Sequence, residues 1–508
     1  MQQNIAELTT RRRLLYGVTF FVGASVMGAE IAAARLVAPF YGTSTMVWAL
    51  VIGATLLSLS VGQLLGGWLS RRGIGDRGIV GLLLASAVIL VTLPFIGRPL
   101  MEQSLTFFWH EAYGTIAASA LGVTALIGFP LIFLGAVGPL ILQEAISDAK
   151  EAGSVGGYLY AWGTIGSLLG TYTSGLLFIP IFGTSRTLWI FSALIVLGAA
   201  LFIPRKRWRL GLGSAALIAF IAGFIIPTGP IKATPGQIFE AETAHNYIEV
   251  VEERGVRRLY FNEGFAEQSI YIPGRLALHN VWGYYGLAPA WTTTGSPSKV
   301  LMLGLGGGTA ARVYRELYPD AEIVGVELDG EVIEAGRRFM GMPEDIETVA
   351  ADARIHLARE ERHFDVIIVD AFQFPYIPFQ LCTREFFSLL HARLAPGGMA
   401  MLNVGRDGEN REVVYAILRT LGEVFPYVYA VDVPSGYNTI VIAMDHPIDE
   451  AVGVEGLVLP SRARASFAYL ADPTTWRIPA NAPLLTDDHA PVELLTDLVF
   501  LRRLLPGF

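Results

Sequence analysis

Lys299-Val300-Leu301-Met302-Leu303-Gly304-Leu305-Gly306-Gly307-Gly308-Thr309 is the stretch on which the fold turns. A short apolar run, Val300–Gly304, reads as a buried strand, and a helical pattern, Ala310–Leu317, opens directly after the glycines. Glycine is needed there because the backbone must turn tightly and let a ligand approach closely. Such a turn alone says little, and its neighbours decide the matter. The next strand, Glu322–Glu327, ends in a carboxylate 19 residues after Gly308. Asp352 follows the expected third strand, and Phe364–Asp370 is a nearly all-apolar fourth strand ending in Asp370. Open α/β sheets bind ligands in the crevice at the carboxyl ends of their strands. Four features at four successive strand ends therefore read as one nucleoside-type site, with Gly304, Gly306, Gly307 and Gly308 as its turn. Glu327 is placed to accept both ribose hydroxyls, and Asp352 is placed for an adenine amino group. A nicotinamide cofactor fits less well, because that family shows a Gly-x-Gly-x-x-Gly turn.

Working outward, strand and helix continue to alternate, the mark of a parallel sheet. Helices are expected over Glu331–Met340, Arg384–Arg393 and Glu412–Val424. Met399–Val404 is a strand, preceded by a turn at Pro396-Gly397-Gly398, and Tyr427–Val433 with Tyr437–Ala443 form a closing antiparallel pair. Upstream, Tyr247–Glu253, Arg257–Phe261 and Ser269–Tyr271 read as a small antiparallel β-subdomain, followed by a helix near Leu276–Tyr285. Thr228–Gly236 is a Pro/Gly-rich linker. The expected domains are residues 1–227, 228–290, 291–445 and a C-terminal extension, 446–508.

The N-terminal part has a different composition. The whole chain is 53% hydrophobic and only 16% charged, well below the roughly 25% charged of ordinary soluble domains, and the deficit lies between Leu14 and Ile203. Seven stretches have the length and apolarity of spans: Leu14–Ala38, Met46–Leu69, Ile79–Gly97, Thr115–Leu142 (broken by Pro130 and Pro139), Tyr158–Ile181, Leu188–Ile203 and Leu210–Ile226. Gly53, Gly62, Gly66, Gly67, Gly163, Gly166, Gly170 and Gly175 are read as helix-packing positions. Glu30 and Arg35 are ionisable groups inside a span, at a spacing that does not stack them on one face. Arg11, Arg12, Arg13, Arg71, Arg72, Arg77, Lys150, Arg205, Lys206, Arg207 and Arg209 gather on one side, against Arg98 and Arg186 on the other, which puts the N-terminus in the cytoplasm. The first apolar stretch is too long for a cleavable signal sequence. A net charge of −8 without a basic aromatic stripe gives no support to a nucleic-acid partner. The lone Cys382 excludes an internal disulfide and is read as structural. His279, His356 and His489 lack metal-ligand spacing, so no metal is expected.

With these residues in view, the soluble half, roughly Ala244–Val404, resembles the spermidine synthase (polyamine aminopropyltransferase) family, in a membrane-anchored branch. The resemblance rests on Lys299–Gly308, on Val326-Glu327-Leu328-Asp329 and on Phe364–Asp370. His245–Val250 and Gly264–Ser269 are similar to the family's substrate-gate segments. Thr486-Asp487-Asp488-His489-Ala490-Pro491-Val492-Glu493 resembles a C-terminal segment of that branch. The resemblance implies an N-terminal all-α transmembrane bundle of about seven spans, a small β-subdomain and an α/β Rossmann-like fold of the S-adenosylmethionine-type methyltransferase class. It also implies transfer of an aminopropyl or aminocarboxypropyl group from decarboxylated or intact S-adenosylmethionine to an amine, releasing methylthioadenosine. Asp370 would be the general base, Glu327 would hold the ribose, Asp352 the adenine and Gln268 the sulfonium side chain. Asn246, His279, Gln373, Asp487 and Asp488 are the candidate substrate contacts.

The sequence departs from the family at the substrate end. The acidic residue of the glycine turn, which grips the donor's amine, is Gly307. The second Asp of the family's Asp-Ser-Ser-Asp-Pro stretch is Gln373, and the Tyr-His/Gln-Glu gate is Leu278-His279-Asn280. These losses weaken the case for a dicationic acceptor, and they remove a charge that would repel the carboxylate of intact S-adenosylmethionine. The acceptor is thus a small-molecule amine or a lipid-soluble one, with membrane lipid as the other partner and a homodimer left open. A methyltransferase on the same donor is the alternative enzyme. A transporter or sensor with a regulatory nucleotide-binding domain is the alternative from another class. The protein is expected in the cell (inner) membrane. Seven full spans would put the soluble half outside, away from cytosolic sulfonium donors. The short, glycine-containing Leu210–Ile226 is therefore read as re-entrant or interfacial, with the soluble half in the cytoplasm.

Overall fold

The computed structural model describes residues 2–108, 114–203, 206–225, 229–264, 266–278, 280–287, 291, 297–371, 377–406, 410–434, 437–448 and 472–496. The chain forms two compact units, Met1–Ala233 with Glu242–Tyr247, and Thr234–Ala241 with Ile248–Phe508.

The first unit is built of helices α1 (Gln2–Tyr41), α2 (Thr45–Arg71), α3 (Gly75–Phe108), α4 (Gly114–Ala145), α5 (Ala152–Thr173), α6 (Ile179–Phe182), α7 (Thr184–Leu201) and α8 (Lys206–Ile225). A π-helical stretch, Ser174–Phe178, joins α5 to α6. Among the described residues six helical stretches are long and apolar enough to cross a membrane: Thr9–Tyr41, Thr45–Arg71, Gly75–Phe107, Ala117–Ala145, Ala149–Phe182 and Thr184–Leu201. They correspond to the first six expected spans. On α2, Trp48 and Trp68 are exposed near the two ends. They lie about 30 Å apart at 1.5 Å per residue, the thickness of a hydrocarbon core, as interfacial anchors do.

Small residues let these helices touch backbone to backbone. A Cβ on Gly62 would lie 2.3 Å from the Ile132 carbonyl oxygen, and one on Gly66 would lie 2.3 Å from that of Ala136. Gly166 and Gly170 approach the carbonyls of Phe20 and Ala24 in the same way, at 2.1 and 2.2 Å. The packing reading therefore holds at these four, whereas Gly53, Gly67 and Gly175 face open space. Arg11 bonds Asp76 and Glu144 at 2.8 and 2.6 Å, and Arg12 pairs with Glu151, tying the starts of α1 and α3 to the end of α4 and the segment after it at one end of the bundle. Glu30 is buried among the helices, at 6% exposure, while Arg35 donates to the Ala244 carbonyl. The two are thus not partners. Arg35 and His245 also line a cavity of about 300 Å³ at the α1–α2 turn.

One expectation for this unit fails. Pro130 and Pro139 do not break the fourth span, since α4 runs through both; membrane helices tolerate proline where neighbours re-satisfy the backbone. The last segment is not among the six stretches long and apolar enough to cross a membrane. Its α8 is continuous and runs antiparallel to α7, with Phe224 5.4 Å from Phe182 and under the Arg186 guanidinium, and Gly223 against Trp189. Bundle packing, which hydropathy does not record, supports this helix despite its glycines.

The second unit opens with a four-stranded sheet, β1 (Gln237–Glu242), β2 (Tyr247–Glu253), β3 (Val256–Phe261) and β4 (Glu267–Tyr271), in sequential order. The expected strands are present, and β1 is an addition. Helix α9 (Val281–Leu287) begins later than expected. Ile272 bridges Arg275 around Pro273-Gly274, and the Asn280 side chain accepts the Trp282 N–H at 3.3 Å, so the helix starts only after Asn280.

A seven-stranded sheet follows, made of β5 (Lys299–Leu303), β6 (Glu322–Glu327), β7 (Glu347–Ala350), β8 (Phe364–Val369), β9 (Leu394–Gly405), β10 (Tyr427–Asp432) and β11 (Asn438–Met444). Its order is β10-β11-β9-β8-β5-β6-β7. Strands β5 to β9 are parallel, and β11 and β10 close the edge antiparallel. Helices α10 (Thr309–Leu317), α11 (Gly330–Phe339), α12 (Ala353–Arg359), α13 (Arg384–Ala392) and α14 (Glu412–Leu421) cover its two faces, each over its own apolar core. This is the Rossmann-like, methyltransferase-type arrangement, with the strand order reversing between the adjacent parallel strands β5 and β8, where such sheets bind ligands. The Pro396-Gly397-Gly398 turn is not separate. It lies within β9, whose register with β8 shifts between Phe364 and Val366.

Candidate active site

The glycine turn follows β5 directly. Gly304, Gly306 and Gly308 have φ of 93°, 53° and 85°, a region L side chains rarely adopt. At Gly304 there is a second reason. A Cβ there would lie 2.3 Å from the Asp370 carbonyl oxygen, and the Asp370 N–H donates to the Leu303 carbonyl at 2.8 Å. The ends of β5 and β8 thus touch, and Asp370 stands at the mouth of the glycine turn.

Glu327, 9% exposed at the end of β6, is held by two backbone donors, Gly306 N–H at 2.9 Å and Asp329 N–H at 3.3 Å. Burial raises its pKa, and these N–H groups partly offset the rise. Ala351 N–H bonds the Glu327 carbonyl at 3.0 Å, which brings the β7 end and Asp352 alongside. One Asp352 oxygen caps α12 by accepting the Ile355 N–H at 2.9 Å. Strand β4 closes the other side. The Ser269 hydroxyl accepts the Gly307 N–H at 2.8 Å, and Thr309 exchanges hydrogen bonds with the Ile270 backbone. This lays Gln268 beside Gly306, whose Cβ position is 3.2 Å from the Gln268 carbonyl. The structure therefore brings Gly304, Gly306, Gly307, Gly308, Glu327, Asp352, Gln268 and Asp370 into one region.

Asp370 is only partly accessible. Its Oδ1 accepts the Asn403 amide at 2.8 Å, and the Asn403 Oδ1 accepts the Asn438 amide at 2.8 Å. The buried Tyr285 hydroxyl on α9 faces the same carboxyl but stops short of a well-formed hydrogen bond. Burial pushes the Asp370 pKa up, with Asn403 and Tyr285 as the opposing influences. Gly307 is tightly surrounded, since a Cβ there would be 3.0 Å from both Met340 Cγ and Ser269 Cβ and these side chains would have to give by a few tenths of an ångström.

Among the remaining candidates, Asp487 is engaged elsewhere. The Asp487 carboxylate is taken up by Arg354, at 2.7 Å, and by the Thr383 hydroxyl, at 2.7 Å, which pins the C-terminal segment to α12 and α13 and lowers its pKa. Asp488 beside it is exposed. Asn246 sits in the β1–β2 turn, where its backbone bonds Thr243, within the helical unit. His279 and Gln373 lie outside the described residues. Cys382 is fully buried, its thiol pKa raised by burial, in keeping with a structural role. Sequence reasoning missed Ser269, Thr309, Tyr285, Asn403 and Asn438. Only Asn403 carries a visible signal, a lone amide interrupting the apolar run Met399–Val404.

Residues 288–447 match the spermine/spermidine synthase domain family. A probable polyamine aminopropyl transferase of Bifidobacterium longum is 28% identical over 315 residues, covering 58% of this chain and 70% of that protein. A polyamine aminopropyltransferase of Corynebacterium efficiens is 26% identical over 472 residues, covering 83% of this chain and 84% of its own, an alignment too long for the catalytic half alone. The solved structure of a probable spermidine synthase from Corynebacterium glutamicum superposes with a TM-score of 0.41 at 22% identity, over 50% of this chain and 97% of that one.

The contact at Gly304 predicts that Gly304→Ala lowers the thermal unfolding midpoint more than Gly255→Ala does. Both glycines have positive φ, 93° and 77°, but a Cβ at Gly255 meets nothing within 4 Å. The shared φ strain is worth about 1–3 kcal/mol, and equal losses in the two variants would show that the β5–β8 contact is dispensable.

Proposed function

We propose that this chain, which belongs to the spermidine synthase-like family, is an aminopropyltransferase that moves the three-carbon group of a sulfonium nucleoside to an amine. The observation that carries the reading is the contact of Gly304 with Asp370, which sets a carboxyl base at the mouth of a nucleoside-type turn. In this assignment Glu327 accepts the donor's ribose hydroxyls, Asp352 faces the adenine and Gln268 the sulfonium side chain. The acceptor arrives as an ammonium, which is no nucleophile until it loses a proton. Asp370 takes that proton, and the freed nitrogen lone pair attacks the carbon bonded to sulfur. As the new C–N bond forms the C–S bond breaks, its electron pair leaving on sulfur as neutral methylthioadenosine, so no acid is needed. A base buried enough to have a raised pKa suits this task better than an ordinary carboxylate.

The donor assignment extends further. Decarboxylated S-adenosylmethionine is the expected donor of such an enzyme, but Gly307 supplies no anion for its amine, and Met340 with Ser269 crowds the position where one would stand. Intact S-adenosylmethionine, giving aminocarboxypropyl transfer, is therefore accepted as well. Among the described residues Asp487 does not restore the missing anion, because Arg354 holds it.

We further propose that the helical unit anchors the enzyme in a membrane with the catalytic half in the cytoplasm, where sulfonium nucleosides are made. The support is that α8 is not among the six described stretches long and apolar enough to cross, and six crossings from a cytoplasmic N-terminus return the chain to the cytoplasm.

Two tests follow from these assignments. Asp370→Asn is expected to cut turnover roughly 10²–10⁴-fold with donor binding preserved, whereas Glu327→Ala is expected to weaken donor binding by roughly 1.5–3 kcal/mol. Calorimetry and steady-state kinetics separate them, and normal turnover in the Asn variant would make Asp370 structural. A reporter fused after Phe508 is expected to be active in the cytoplasm. Activity only outside would make α8 a seventh crossing and exclude cytosolic sulfonium chemistry.

A further inference from the structure

The base reading, on which this inference rests, leaves open what orients Asp370. Asn403 lies on β9, on the sheet face that carries α9 and α10, beside the end of β8. Its Nδ2 donates to Asp370 Oδ1 and its Oδ1 accepts from Asn438 Nδ2, both at 2.8 Å. Asn438 stands opposite Gly405 in the β9–β11 ladder, two residues along from Asn403 and on the same face, within reach of a diagonal cross-strand pair. The two contacts fix the Asn403 amide in one orientation. Rotating it by 180° would set oxygen against the Asp370 carboxylate and nitrogen against the Asn438 amide, losing both hydrogen bonds. Asp370 Oδ1 is thereby committed to Asn403, so Oδ2 is the oxygen left to receive the acceptor's proton.

We infer that Asn403 and Asn438 are positioning residues that hold Asp370 by one oxygen and stabilise its anionic form, leaving Oδ2 aimed at the attacking nitrogen. The other groups facing this carboxyl are few. The titratable one among the described residues is Tyr285 on α9, and β5 contributes backbone at Leu303 and Gly304. No described cation bonds Asp370, so neutral amide donors are its main stabilisers against burial. This differs from a carboxylate held by arginine, as at Asp487.

The sign of the effect is fixed. Removing the Asn403 amide takes away a donor that favours the charged carboxyl, so the folded pKa of Asp370 rises, and a larger share of it is protonated at any pH below that value. The acidic limb of the kcat/KM profile therefore moves to higher pH in Asn403→Ala, by about one to two pH units for a lost charge-assisted hydrogen bond. Asn438→Ala moves it the same way by less, because the Asn403 amide is then free to rotate. Donor affinity by calorimetry stays within twofold of wild type in both. Profiles that overlay wild type in both variants, or a limb moved to lower pH, overturn the inference. Should Asn403→Ala fail to fold, the Asn438→Ala profile decides it alone, shifted up in support or unshifted against. The base reading fails separately, by normal turnover in Asp370→Asn.

Discussion

The approach of two backbones at the centre of the catalytic sheet sets the terms for the rest of the site. Strands β5 and β8 lie side by side where the strand order reverses, and their ends come so close that a side chain at Gly304 would overlap the Asp370 carbonyl. That contact joins two otherwise separate functions, a turn able to admit a nucleoside and a carboxyl able to take a proton. The glycines downstream meet further limits: Gly306 and Gly307 lie against β4, and Gly307 and Gly308 against Met340 and Met342 in the segment after α11. The turn is therefore shaped from three sides before any ligand arrives.

Charge in the site is managed with neutral donors. Glu327 and Asp370 both have pKa values raised by burial, and both are opposed by N–H groups and not by cations: backbone amides at Glu327, the Asn403 amide at Asp370. An arginine beside either carboxyl would hold it ionised, but it would also repel a sulfonium or an ammonium. Amide donors stabilise the anion while leaving the region attractive to cations. The same logic explains why Asp487, which is paired with Arg354, serves as an anchor for the C-terminal segment.

Much of this was legible in the sequence because it is local. A glycine cluster between strand and helix, a carboxylate ending each of two apolar strands and long apolar stretches all sit within short windows, and the strands and first six spans fell where expected. What could not be read depends on partners far along the chain. Asn403 meets Asp370, and Asn438 meets Asn403, only through the sheet order, Tyr285 faces the same carboxyl from α9, and the Arg354–Asp487 pair joins residues 133 positions apart. Local rules also misled. Proline suggested a break in α4, and Pro396-Gly397-Gly398 suggested a turn where β9 bulges, because bundle and ladder contacts overrode the local preference. The α9 start shifted for the opposite reason, since Asn280 is a local cap that the apolar pattern around it concealed.

The central claim is that the glycine turn, Glu327 and Asp370 form one site for carbon–sulfur bond cleavage in a sulfonium nucleoside. It is tested most directly by supplying the purified full-length protein with decarboxylated and intact S-adenosylmethionine in competition, together with a panel of amines, and identifying the nucleoside product. The account predicts methylthioadenosine from both donors, with loss of the signal in Asp370→Asn. Accumulation of S-adenosylhomocysteine in its place would contradict it and make the chain a methyltransferase.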